Sequence, residues 1–165
     1  NQNNEVVSTR IQDVSFQINS SSNSYTMVLQ NSANVVDMVF NTLANYQSGI
    51  SVTKLRGLKV TGYSGYQVLI KTSASNLGNN SDQTIPVAAV SVQTTKFTTT
   101  NGAVINTFTR ALSTADQIIV NNPVSHPSHQ VVEYTLRYYT EPNDSRLSGK
   151  SGTFNTTVIF VAIPL

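Results

Sequence analysis

The stretch "HPSH" places His126 and His129 three residues apart. Two neutral imidazoles are a legitimate start for a zinc or copper site, which then needs a third and a fourth ligand. Glu133 is the nearest carboxylate, but it and His129 open an alternating strand, and Pro127 fixes an extended loop in which the two rings need not converge. A solvated loop is the expected state, with no metal bound. In "GYSGY" the glycines around Ser64 do not have the G-x-S-x-G spacing of a nucleophile elbow. Gly57, Gly62 and Gly65 lack the Gly-Lys-Ser/Thr ending of a phosphate loop and read as turns. The carboxylates Glu5, Asp13, Asp37, Asp82, Asp116, Glu133, Glu141 and Asp144 are scattered singly, so none is spaced for joint acid–base work. The expectation is a protein that is not an enzyme and carries no cofactor.

Binding chemistry is better represented. Lys54, Arg56 and Lys59 cluster around a turn, with Tyr63 and Tyr66 close behind. Such a set can hold an anionic glycan through charge-assisted hydrogen bonds and ring stacking, although a solvated rim is the expected state of such a cluster. The N-x-S/T sequons at Asn19, Asn79, Asn143 and Asn155 are expected by chance in a chain so rich in these residues.

Composition narrows the classes further. Charged residues make up 11% of the 165, while 20 Ser, 20 Thr, 18 Asn and 10 Gln carry the polarity and 20 Val much of the apolar content. Val and Thr suit extended backbone; Asn, Ser and Gly suit turns. A net charge of +2 is a small imbalance, so no nucleic-acid partner is inferred. There is no cysteine, which excludes disulfides, thiol catalysis and thiolate metal sites without deciding the compartment. No stretch of about 20 apolar residues is present, so no membrane span is expected. The start "NQNNE" lacks the basic and apolar regions of a signal peptide, and an exported protein would here be in its mature form.

The elements that must position these residues read as strands. Val14, Phe16 and Ile18 share one face, a polar "NSSSNS" turn follows, and "YTMVL" returns. "VVDMVF" aligns Val36, Met38 and Phe40; its extension "VVDMVFNTLANY" is the window nearest to a helix. "LRGLKVTG" carries a Gly-marked turn, and "YQVLIKT" aligns Tyr66, Val68 and Ile70. Pro86 in "IPVAAVSV" marks an edge or a strand start. Asn101-Gly102 suits a type I′ hairpin or an exposed loop. "VVEYTLRYY" turns Val132, Tyr134, Leu136 and Tyr138 inward. About nine strands at short spacing predict an all-β fold, an antiparallel Greek-key β-sandwich, with residues 13–165 as a single domain.

Residues 1–12 stand apart. The phase Val7, Thr9, Ile11 is out of step by one with Val14, Phe16, Ile18, and a one-residue slip sends side chains to the opposite face. The break lies at Gln12-Asp13. Either a β-bulge sits there, or this segment is an arm that pairs with a different partner, with Val7 and Ile11 as its pocket-fillers. The last strand raises a matching question. Phe154, Thr156, Val158, Phe160 and Ala162 form a core face, while Asn155, Thr157, Ile159, Val161 and Ile163 form a second face that turns apolar. Ile159, Val161 and Ile163 are expected to be covered, by a neighbouring subunit or by a crossing loop of the same chain.

"IPVAAVSV", "LSTADQII", "VVEYTLRYY" and "SGTFNTTVIF" follow in an order that resembles secreted all-β bacterial surface proteins related to spore-coat-U-like and chaperone-usher pilin subunits. The resemblance covers roughly 85–160. It implies an immunoglobulin-like sandwich on the cell surface, polymerised when the N-terminal extension of one subunit completes the sheet of the next. The chain departs from many such pilins in lacking a cysteine pair and in ending on "AIPL". The expected function is therefore a structural subunit of an extracellular filament or surface layer whose partners are copies of itself. The alternative is a monomeric carbohydrate-binding or adhesin module using the Lys54 to Tyr66 region, with host or environmental glycans as partners.

Overall fold

A computed structural model describes residues 7–11, 16–18, 25–78, 83–99, 104–123, 125 and 129–165. The Asn101-Gly102 hairpin and His126 lie outside the described residues.

Strands dominate, as the Val- and Thr-rich composition requires. In chain order they begin with β1 (Val7–Ile11), β2 (Phe16–Ile18), β3 (Tyr25–Leu29), β4 (Val36–Phe40), β5 (Ser51–Gly62), β6 (Tyr66–Thr72) and β7 (Asn76–Leu77). They continue with β8 (Ile85–Pro86), β9 (Ser91–Thr99), β10 (Asn106–Thr107), β11 (Thr109–Ala111), β12 (Gln117–Asn122), β13 (Gln130–Tyr139), β14 (Gly152–Thr156) and β15 (Val158–Pro164). Among the described residues one α-helix occurs, Leu43–Ser48, so the window nearest to a helix divides into strand and helix. Thr42 separates them: its hydroxyl accepts from the Asn45 amide while the Asn45 side chain accepts from the Thr42 amide, a closed capping box. Among the described residues no helix is long and apolar enough to cross a membrane.

Two five-stranded sheets carry the fold, one ordered β10-β12-β6-β15-β2 and the other β11-β9-β13-β5-β3. Almost all of their pairings are antiparallel; β15 with β2 is parallel. A three-stranded sheet, β14-β1-β4, joins them at one side. The inward faces interdigitate in one core that includes Val68, Ile70, Phe160, Tyr134, Leu136 and Phe40. Burying such side chains contributes about 1.5–3 kcal/mol each.

Strand phase follows the sequence pattern closely. In β13 Val132, Tyr134, Leu136 and Tyr138 are buried, and in β4 Val36, Met38 and Phe40 are. The Gly57 turn is corrected: β5 continues through Gly57 to Gly62. There the pairing with β13 steps from Leu58 opposite Tyr134 to Lys54 opposite Leu136, so the extra residues form a bulge. A Cβ at Gly57 would stand 2.9 Å from the Ala33 Cβ, so the turn after β3 packs directly on this backbone.

Candidate functional site

The N-terminal segment runs alongside the C-terminal strand and crosses with it from one sheet to another. The backbone of β1 pairs in parallel with β14, Val7 opposite Gly152 and Ile11 opposite Thr156, and antiparallel with β4, Val7 opposite Phe40 and Ile11 opposite Val36. The backbone of β2 pairs in parallel with β15, Phe16 opposite Phe160. The offset between partners is 145 residues for β1 and 144 for β2. From β1 to β2 the chain therefore holds one residue more than from β14 to β15; the phase break at Gln12-Asp13 lies outside the described residues. β4 and β14 do not pair with each other; β1 supplies the ladder for both.

The last strand keeps its two faces. Phe154, Thr156, Val158, Phe160 and Ala162 are buried. Ile159 and Val161 are half-buried, and Ile163 is 38% exposed. Val161 stands opposite Leu69 on β6, which stands opposite Ile118 on β12, and both of these are half-buried. An aliphatic row thus crosses the outer surface of this sheet.

The basic and aromatic cluster is dispersed. Tyr66 is 2% exposed and lies in the core, which removes it from any surface patch. Tyr63 is exposed just past the end of β5, where its ring packs against His129 in a tilted arrangement with centroids 5.1 Å apart. Lys54 is half-buried before the bulge. Arg56 and Lys59 are turned to the outer face of β5 beside Glu133 of β13.

Arg56 is the residue on which the bulge converges. Its φ of 54° lies in the left-handed region, which costs a non-glycine residue on the order of 1 kcal/mol. Side chains from the turn after β3 hold that backbone: Gln30 Nε2 donates to the Arg56 carbonyl at 2.9 Å and Asn31 Nδ2 to the Leu55 carbonyl at 3.2 Å. The Arg56 Nε meets Glu133 Oε2 at 2.7 Å, and Gln30 Nε2 also donates to Glu133 Oε1 at 2.9 Å. These hydrogen bonds, Gln30 first and then Arg56, hold the Glu133 carboxyl below its ordinary range. The guanidinium lies over the Phe97 ring, 4.8 Å from its centre. Phe97 is itself the extra residue where β9 steps past β13, so two bulges on the two strands flanking β13 bring the pair together.

Among the described residues no three His, Cys, Asp or Glu side chains converge to hold a metal ion, and Ser64 is buried in the turn after β5.

No protein-family model matches the chain, and no curated protein matches its sequence.

Sequence reasoning missed Phe97 and Glu133 as partners of Arg56, and β4 as the second neighbour of β1. Phe97 stands in a run of threonines, where alternation gives no reason to single it out. Its meeting with Arg56 depends on both flanking strands bulging at the same level, which no local pattern announces.

Proposed function

We propose that the protein is a structural subunit of an extracellular filament or surface layer, assembling by addition of its N-terminal strand to a neighbouring copy. The observation that supports this most directly is the place of β1, paired on one side with β14 and on the other with β4, which have no other link in that sheet. If the segment leaves its own groove and enters a neighbour's, the same main-chain hydrogen bonds re-form there. Exchange between identical subunits therefore costs little in contacts. Val7 and Ile11 are assigned as the residues that fill the receiving groove. The reading includes a Greek-key, immunoglobulin-like arrangement of about nine principal strands, export to the cell surface, and kinship with the spore-coat-U-like and pilin subunits that the C-terminal half resembles. The aliphatic row of Ile159, Val161 and Ile163 is assigned as a second contact between subunits.

Negative-stain microscopy of the native material should show ordered polymers. Removing residues 1–11 should leave a folded subunit that no longer polymerises, with the edges of β4 and β14 open. Polymers formed equally well by the shortened chain would overturn the proposal.

A further inference from the structure

We infer that the outer face of the β11-β9-β13-β5-β3 sheet is a binding surface for an acidic polysaccharide, gripped by two arginine–aromatic stacks, Arg56 on Phe97 and Arg137 on Tyr139. This inference does not rest on strand exchange.

The two stacks share a face and a geometry. On β13 the residues Val131, Glu133, Thr135, Arg137 and Tyr139 alternate with the buried set, so all five point outward. Arg137 lies over the Tyr139 ring at 4.8 Å, the same separation as Arg56 over Phe97. Glu133, which holds Arg56, and Arg137 are four positions apart on one strand, roughly 13 Å. Lys59 stands opposite Glu133 on the adjacent strand. Arg56, Lys59 and Arg137 thus stand with Glu133 along a line and are not gathered at a point.

The Arg56 stack is built for presentation. The left-handed backbone at Arg56, the braces from Gln30 and Asn31 and the steric limit at Gly57 fix the guanidinium with its Nε on Glu133. The ion pair uses Nε, at the stem side of the guanidinium. Phe97 is 47% exposed and Leu55 57%, although neither exposure is needed to close the core. Strain retained at an exposed residue, with this much structure committed to holding it, points to function more than to stability.

The chemistry selects the ligand. Guanidiniums take carboxylates with charge-assisted hydrogen bonds, and at Arg137 a ligand carboxylate would replace only the long 3.4 Å contact from Nη1 to Gln93 Oε1; aromatic rings take the C–H faces of pyranoses, and outward Thr53, Thr95 and Thr135 hydroxyls suit sugar hydroxyls. Duplex nucleic acid is a poorer match, because its dense phosphates are held by many more cations than this face carries.

The test uses polygalacturonate as the acidic polymer and its methyl ester as the same polymer without charge, titrated by calorimetry at low salt. Polygalacturonate should bind, the ester should bind at least ten-fold more weakly, and raising salt should weaken the acidic polymer alone. Arg56→Gly suits the left-handed backbone and should keep the melting temperature within a few degrees while weakening binding about ten-fold. Arg137→Ser, on an exposed strand position, should do the same, and covers the case in which Arg56→Gly disturbs the fold. Absence of binding by the native protein, equal binding of the ester, or unchanged binding by Arg137→Ser would each overturn the inference; tighter binding of duplex DNA than of polygalacturonate would do so as well.

Discussion

The phenol oxygens of Tyr66 and Tyr134 lie 2.5 Å apart in the core, one carried by β6 and the other by β13, so their hydrogen bond links the two five-stranded sheets. Both side chains are buried, and neighbouring Asn122 donates through Nδ2 to Gln130 Oε1 at 2.8 Å, a second polar link between the same sheets. Buried hydroxyls without partners are costly, so the pair acts as a unit.

Tyr66→Phe and Tyr134→Phe should each destabilise the fold by about 1–3 kcal/mol, because each removes the hydrogen bond between the two buried hydroxyls; the Tyr66 hydroxyl keeps Asn122 beside it, so Tyr66→Phe should be the costlier. The double variant should cost less than the two singles summed. Urea unfolding of all four proteins measures the coupling, and strict additivity would mean the hydroxyls stabilise independently.

Alkaline pH should unfold the protein. Burial raises the Tyr66 phenol from 10.0 to about 12, and burial raises Tyr134 and Tyr138 as well. A folded value above the unfolded one means the stabilisation is fully present below about pH 10 and is lost as pH rises toward and past 12, by up to about 1.4 kcal/mol per pH unit for each group. Tyrosinate absorbance should appear together with loss of the folded circular-dichroism signal. Tyr138→Phe should make the loss less steep.

The acid side should report Asp144. Arg146 donates to its carboxylate from Nε and Nη2, at 2.8 and 2.6 Å, and Arg146 Nη1 reaches the Ala88 carbonyl at 2.8 Å. Hydrogen bonding to Arg146 lowers the Asp144 carboxyl from its ordinary value of 3.8. A depressed folded value gives stability that is present above the unfolded value and lost as pH falls through the folded one. Asp144→Asn should therefore lower the melting temperature at pH 7 and flatten its decline below about pH 4. An unchanged acid limb would show that Asp144 contributes nothing to it.

Ile159→Lys combined with Val161→Lys tests the outer aliphatic row. These side chains are half-buried and outside the core face, so the subunit should melt within a few degrees of the native protein while microscopy shows no polymers. Loss of folding in the subunit would instead place their partner within the same chain.

Alternation is a local property, and it carried the strand phases. Val132 to Tyr138, Val36 to Phe40, and Phe154 to Ala162 could be assigned to the core from sequence because period-two patterning reflects which side of a strand meets water. The same pattern grouped Tyr66 with Val68 and Ile70, and so already placed it inside; adjacency to Lys59 and Tyr63 pointed the other way, and burial decided for the pattern.

Partners are non-local, and only the tertiary structure decided them. Nothing in Val7–Ile11 names β4 and β14 as its neighbours, because main-chain hydrogen bonds do not depend on side-chain identity. Gly57 reads as a turn residue in sequence and is a bulge in the fold, because its missing Cβ is required by Ala33 from another segment. Arg56 meets Phe97 and Glu133 only where three strands come into register, and the stack exists only through that register.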